Sequence, residues 1–366
     1  MGEAPGAVGA GSVVSTFNEW DPLEEIIVGS VEDAMVPPWD EIMPAVVHDK
    51  RQWDFYKLWG GTRWPVDMLK KAERDLEAFV HILEVEGVKV RRPERFAWDK
   101  PIAAPDWQQP SSCYALMPRD VLLVVGDLIV EAPMGWRSRY FEHLAYKSLC
   151  KEYFKGGARW ISAPRPQLSS ASYVPDFVPM EDGEPQRFIC TEFEPTFDAA
   201  DFIKCGRDLF VGRSSCCNEF GIEWVRRQLG PEYRVHELDV YDTHPMHIDA
   251  TFCPLAPGKL LINPERVRSV PSMFGEAGWD VLVCPEPEMP ASHPMYNCSR
   301  WIMMNVVMLD EKRIIVSKGE DNFVRQLKAW GFEPIECPFW DFETIGGGFH
   351  CATVDVRRRG SLQSYF

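Results

Sequence analysis

Residues Val121–Pro133 read VLLVVGDLIVEAP. Two apolar runs flank a Gly-Asp pair, the pattern of a β-hairpin. Downstream, YFKGGARWISAP (Tyr153–Pro164) closes a helical pattern at Gly157 and then gives a short β-rich run ending at a proline. Hairpin, helix and strand therefore follow one another, and the same order recurs along the chain. ADFIKCGRDLFVG (Ala200–Gly212) turns at Cys205-Gly206, and its helix ends at Gly230 in RRQLGPEYRVHEL (Arg226–Leu238). ATFCPLAPGKLLIN (Ala250–Asn263) turns at Pro257-Gly258 and is followed by FGEAGWDVLVCP (Phe274–Pro285), with Gly278. NVVMLDEKRIIVS (Asn305–Ser317) turns at Asp310-Glu311 and precedes LKAWGFEPIECP (Leu327–Pro338), with Gly331. Each glycine is placed where a helix C-terminus favours a left-handed residue.

A fifth module is split between the two ends. It takes HCATVDV (His350–Val356) from the C-terminus. From the N-terminus it takes EEIIVGS (Glu24–Ser30), a helix from about Val66 to Glu86, and the run after Gly87 in LEVEGVKVRRP (Leu83–Pro93). These ββαβ-type modules predict an α/β fold, a five-bladed α/β propeller with pseudo-fivefold symmetry, closed by pairing the chain ends so that no sheet edge stays open. Residues 1–12 (MGEAPGAVGAGS) read as a flexible tail and residues 13–366 as one domain.

Bulk properties narrow the function. The 366 residues are 45% hydrophobic and 12% aromatic, enough for a large core. No run of about 18 apolar residues exists, so no membrane partner is expected. The N-terminus lacks the basic start and apolar block of a secretory signal, and a cytoplasmic protein is expected. A net charge of −16 argues against a nucleic-acid partner. Eleven cysteines without a CxxC pair read as buried thiols in a reducing compartment rather than as disulfides or a zinc site.

Polar residues stand where the first strand of each module starts. They are Asp120, Asp198, His247 with Asp249, Cys298 with Ser299, and His350 with Cys351. In a propeller these positions meet around one axis. A thiol, an imidazole and a carboxylate make a nucleophile set. The additional carboxylates do not suit an oxyanion but do suit a planar guanidinium, whose donors match carboxylates in pairs. Metal binding by His247, Asp249 and Asp198 is the rival use of these groups.

The motifs MPRD (Met117–Asp120), EAPMGWRSRYFE (Glu131–Glu142), FDAADF (Phe197–Phe202), PMHIDATF (Pro245–Phe252), LDEKR (Leu309–Arg313) and GGGFHC (Gly346–Cys351) carry a resemblance. The chain resembles the arginine:glycine amidinotransferase family, in its bacterial form, from FNEWDPLEEIIVGS (Phe17–Ser30) to RRRGSLQSYF (Arg357–Phe366). That resemblance implies the pentein fold of guanidine-modifying enzymes. It also implies transfer of the amidino group of L-arginine to an acceptor amine through an amidino-cysteine, with ornithine released and no cofactor or metal. Cys351 then matches the nucleophile, and Asp198 and His247 the acid/base dyad. Asp120 and Asp249 match the carboxylates that hold the guanidinium. Arg266 (in NPER), Cys298, Ser299, His244 and Met246 match substrate-binding positions, Cys298 standing where the family more often has serine. Hydrolysis of the same guanidine is the alternative chemistry. Family members often pair as homodimers. His244 stands where glycine-using members carry asparagine, so glycine, another amino acid and a secondary-metabolite amine are all open as acceptor. On a strand, His350 would point away from Cys351.

Overall fold

The computed structural model describes residues 12–47 and 49–366. Of the expected tail, residues 1–11 lie outside the described residues. Ser12 belongs to the folded body, because its carbonyl accepts a hydrogen bond from Arg357 at 3.0 Å.

The repeat is realised as five separate three-stranded sheets. In the first, Leu122–Val125 pairs antiparallel with Leu128–Glu131, and the latter pairs parallel with Arg159–Ser162 across the helix Lys147–Lys155. The second sheet joins Phe202–Cys205, Asp208–Val211 and Arg234–Glu237 with helix Glu219–Leu229. The third joins Phe252–Ala256, Lys259–Ile262 and Asp280–Val283 with the shorter helix Ser272–Glu276. The fourth joins Val307–Met308, Arg313–Ser317 and Glu333–Cys337 with helix Asp321–Ala329. The fifth is assembled from both ends of the chain. Thr353–Arg358 pairs antiparallel with Leu23–Val28, which pairs parallel with Lys89–Arg91 after helix Val66–Val85. Among the described residues no sheet closes on itself.

The strands show which side faces inward. In the first two sheets the hairpin strands are buried along their whole length, whereas the third strand is half exposed. The hairpins therefore face the interior, with the third strands towards solvent.

The helix ends explain the recurring glycines. Gly87, Gly157, Gly278 and Gly331 all have positive φ. At each, the glycine amide bonds back into the last helical turn and the amide of the next residue bonds one residue deeper, as Gly87 to Glu84 and Val88 to Leu83. This paired closure needs a left-handed residue, which glycine supplies without steric cost. Gly230 also has positive φ but lies at the cap itself, so its helix ends without that pair.

Each first strand is entered through a helical turn. These are Pro118–Val121, Ala199–Asp201, residues 248–251, Arg300–Met304 and residues 348–352. The sequence places the chemically suggestive residues at strand starts. They lie instead on or beside these turns, which carry a side chain further around than a strand would. Arg357 and Arg358 tie the ends together, as their position suggests. Arg357 pairs with Glu24 at 2.9 Å, and Arg358 reaches Asp355 at 3.0 Å and the carbonyls of Asp21 and Met308. All eleven cysteines are free thiols. No described helix is long and apolar enough to cross a membrane.

Candidate active site

Residues on or beside four of the five turns line one pocket of about 570 Å³, its open mouth included. Asp120, Met246, His247, Asp249, Arg266, Cys298, Ser299 and Cys351 all line it. Asp198 stands behind His247. His244 does not line it, contrary to the sequence expectation. Its amide bonds Asp242 Oδ1 at 2.9 Å, and Asp242 Oδ2 lies 2.9 Å from Arg266 Nε. The loop of His244 thus holds Arg266 through Asp242.

Cys351 sits in the turn ahead of strand Thr353–Arg358, and its amide donates to Asn305 Oδ1 at 2.9 Å. The glycines before it permit close approach. A Cβ on Gly347 would lie 2.5 Å from Met117 Sδ and 3.0 Å from Cys351 Cβ, and one on Gly348 would lie 2.7 Å from Asn305 Cβ. The thiol is 3.4 Å from Asp249 Oδ2 and in hydrogen-bonding contact with His247. Burial, and then the charge of Asp249, push the thiol up to about 12, against the opposing pull of His247. Burial thus favours the protonated thiol at Cys351.

His247 has φ +34°, a left-handed conformation rare outside glycine. Its Nε2 lies 3.1 Å from Asp198 Oδ2, and its Nδ1 lies 3.6 Å from Asp120 Oδ1. Burial alone would favour the neutral ring. The charge of Asp120, the hydrogen bonds of Asp198 and Cys351 and the charge of Asp201 outweigh it and hold the imidazole well above its usual range. A charged ring in this place has a proton to give.

Asp120 Oδ2 accepts from Arg139 Nη1 at 2.8 Å, whereas its buried Oδ1 has no hydrogen-bond partner among the described residues. A buried carboxylate oxygen at a cavity wall that accepts no hydrogen bond favours a donor-rich cation. Burial raises the Asp120 carboxyl, with His247 and Arg139 opposing. Asp249 goes the other way. Burial would raise it too, but the hydrogen bond and charge of His350 hold it low.

The rival metal reading joined His247, Asp249 and Asp198. The structure groups Asp120, Asp198 and His247 instead, with ligand atoms within 4.8 Å of one another. Arg139 Nη1 lies 2.8 Å from Asp120 Oδ2 and 3.6 Å from Asp198 Oδ2, so a guanidinium already stands against these acids. The remaining wall carries Arg266, whose Nη2 donates to Ser299 Oγ at 2.9 Å. Cys298 is held by a contact from its thiol to the Glu343 carbonyl at 3.5 Å, and burial raises its thiol as well.

Two groups escaped the sequence reading. Arg139 lies within the quoted EAPMGWRSRYFE motif, but nothing local distinguishes it from Arg137. Asn305 precedes a strand and looks like an ordinary turn residue. Only the fold brings both to the site.

The comparisons with known proteins agree with this chemistry. No family model matches the chain. It is 51% identical to an L-arginine:L-lysine amidinotransferase of Pseudomonas savastanoi pv. phaseolicola, over 97% of both chains. It is 46% identical to the mitochondrial glycine amidinotransferase of Danio rerio, over 96% of this chain and 85% of that one. Among solved structures, SxtG, an amidinotransferase of Microseira wollei in the saxitoxin biosynthetic pathway, matches with a TM-score of 0.92 and 47% identity, covering 96% of this chain and 99% of that one. DDAH of Pseudomonas aeruginosa, at 16% identity and a TM-score of 0.56 over 91% of this chain and 99% of that one, shares the pentein fold.

Proposed function

The chain belongs to the arginine:glycine amidinotransferase family, and on that premise we propose that it moves the amidino group of L-arginine to an amino-acid acceptor through Cys351. The observation that carries this reading is the shared cavity of thiol, imidazole and carboxylates, with Asp120 Oδ1 buried and without a hydrogen-bond partner among the described residues.

Asp120 and Asp249 hold the planar guanidinium, and Arg266 with Ser299 receives the carboxylate of the amino acid. The arriving cation expels the Cys351 proton to solvent. The thiolate attacks the guanidinium carbon, forming the S–C bond. His247, charged and oriented by Asp198, gives its proton to the departing nitrogen as the C–N bond breaks. Ornithine leaves, and a cationic amidino-cysteine remains. An acceptor amine then enters the vacated site. Neutral His247 takes the proton from its attacking nitrogen, the S–C bond breaks, and the new guanidine leaves. Both halves use one site, so the kinetics are ping-pong. Each step uses only the thiol, imidazole and carboxylates of the chain, without metal or organic cofactor.

The acceptor follows from reuse of the same groups. Once ornithine leaves, Arg266 and Ser299 are free to hold a second amino-acid carboxylate. Lysine is longer than ornithine by one methylene, so its terminal amine reaches one bond deeper, towards the amidino carbon on Cys351, and a lysine amidinotransferase is among the relatives. Glycine, used by other relatives, is the second acceptor to test. Incubation with arginine alone followed by intact mass measurement is expected to give one amidino adduct on Cys351. Screening lysine, glycine and other amines for arginine-dependent ornithine release names the acceptor. Steady citrulline release without adduct would establish hydrolysis instead.

The five sheets are read as blades of a five-bladed propeller, supported by their shared three-stranded order and by four of their entry turns meeting at one cavity. Residues 13–366 form one domain on this reading, because the fifth sheet needs both ends of it. Free thiols throughout suit a reducing compartment, and the cytoplasm is proposed. Light scattering would read the homodimer that family membership implies.

A further inference from the structure

His350 neighbours the nucleophile in sequence but does not line its cavity. Its ring turns to the other side of Asp249. Nδ1 lies 2.8 Å from Asp249 Oδ2, the same oxygen that the Cys351 thiol approaches at 3.4 Å. Nε2 lies 3.3 Å from Glu19 Oε2. The imidazole is therefore clamped between two buried carboxylates.

Behind His350 is a second pocket, lined in part by Glu19, Cys253, Arg358 and His350. Asp249 is the residue this space shares with the active-site cavity. It is thus the wall between them, open to substrate on one side and gripped by His350 on the other.

The groups around the ring form a closed ionic cluster. Lys204 Nζ lies 3.5 Å from Glu19 Oε1 and 3.0 Å from Asp355 Oδ2. Arg119 Nη2 lies 2.6 Å from Asp355 Oδ1, its Nη1 lies 3.9 Å from Glu19, and its Nε faces the His350 carbonyl at 3.4 Å. Arg358 bonds Asp355 from the far side. Such a network is rigid because each buried charge is paired.

We propose that His350 is a positioning residue for the transfer reaction: as an imidazolium it fixes the Asp249 carboxylate for the substrate guanidinium and offsets the negative charge that Asp249 places on the Cys351 thiol. This deepens the assignment of Cys351 as nucleophile and rests on it. The hydrogen bonds of Asp249 and Glu19 favour the charged ring, against burial and the charge of Arg119. Nδ1 and the thiol both touch one oxygen, so they stand at most about 6 Å apart. A unit charge at that separation, partly offset by Glu19, shifts the thiol equilibrium about tenfold.

The test uses His350→Leu and His350→Asn, checked for folding by circular dichroism. Cys351 alkylation by iodoacetamide is followed against pH by peptide mass, beside kcat/KM for arginine. His350→Leu is expected to slow alkylation about tenfold at a given pH and to lower kcat/KM. His350→Asn places an amide N–H where Nδ1 stands. It is expected to recover most of kcat/KM while alkylation stays slow, a split that a merely structural role would not produce. A folded His350→Asn with wild-type alkylation overturns the proposal. NMR of the imidazole in the unaltered protein is a second measurement. It is expected to show a charged His350 at pH 7, and a neutral ring there overturns the proposal without any variant. Cys351→Ser separates the two readings: retained ornithine release would fell the nucleophile assignment itself, whatever His350 does.

Discussion

The protonated resting thiol of Cys351 makes a quantitative demand. At about 12, only about one molecule in thirty thousand carries the thiolate at pH 7.5. A guanidinium held by Asp120 and Asp249 would bring a positive charge to about 4 Å from sulfur. At an effective dielectric of about 20 this is worth about 4 kcal/mol, or about three pKa units. Two alkylating agents of equal shape separate this effect from intrinsic reactivity: neutral chloroacetamide and its cationic counterpart chloroacetamidine. Second-order labelling of Cys351 is measured by peptide mass at pH 7.5, each rate divided by that for free glutathione. The cation is expected to label faster by about 100- to 1,000-fold, the lower figure allowing for water in the open cavity. Asp120→Asn removes one carboxylate facing the cation and is expected to cut that ratio about tenfold. A ratio near one would refute the reasoning. So would neutral labelling as fast as glutathione, since the thiolate would then be preformed and burial would not govern it.

Other consequences can be checked separately. Asp198→Asn removes the charge that orients His247 at 3.1 Å and is expected to lower kcat about 10²- to 10⁴-fold, read as ornithine release. Gly347→Ala would press a methyl group against Met117 and Cys351. It is expected to cost about 1–3 kcal/mol in denaturant melts and about 10- to 100-fold in kcat, because the nucleophile itself moves. Glu343 is fully buried, and burial raises its carboxyl from the usual range to about 8. A raised carboxyl gives stability that is whole below about 4.5 and lost as pH rises towards about 8. Glu343→Gln is therefore expected to flatten the loss of melting temperature between pH 5 and pH 8, with about 3 kcal/mol separating the two proteins at the upper end.

Much of the fold was legible because its signals are local. A Gly-Asp turn between two apolar runs specifies a hairpin at Val121–Pro133, and the glycines at 87, 157, 278 and 331 mark helix ends by backbone torsion. Both need only short-range sterics. The pairing of Thr353–Arg358 with Leu23–Val28 was legible indirectly, since each end supplied part of a repeat completed elsewhere. The site residues were identified by residue type and repeat phase, which is why Asp120, His247, Asp249 and Cys351 were named together. Phase failed where a turn replaced a strand. His350 does leave the thiol's cavity, as alternation on a strand would suggest, yet it returns through Asp249, a residue more than a hundred positions away. His244 was matched to a substrate position by family resemblance alone; it does not line the cavity, and its amide bonds Asp242.

The sequence by itself determined the order of elements, the glycine-marked helix ends and the kinds of groups available for chemistry. These depend on torsional preference and on side-chain composition, both properties of a short stretch. Tertiary structure alone decided the charge state of each group. Burial beside Asp249 pushes the Cys351 thiol up, Asp120 and Asp198 hold the His247 imidazole above its usual range, and His350 keeps the Asp249 carboxyl low. Electrostatic energy depends on distance and burial, and neither is encoded in any one segment of the chain.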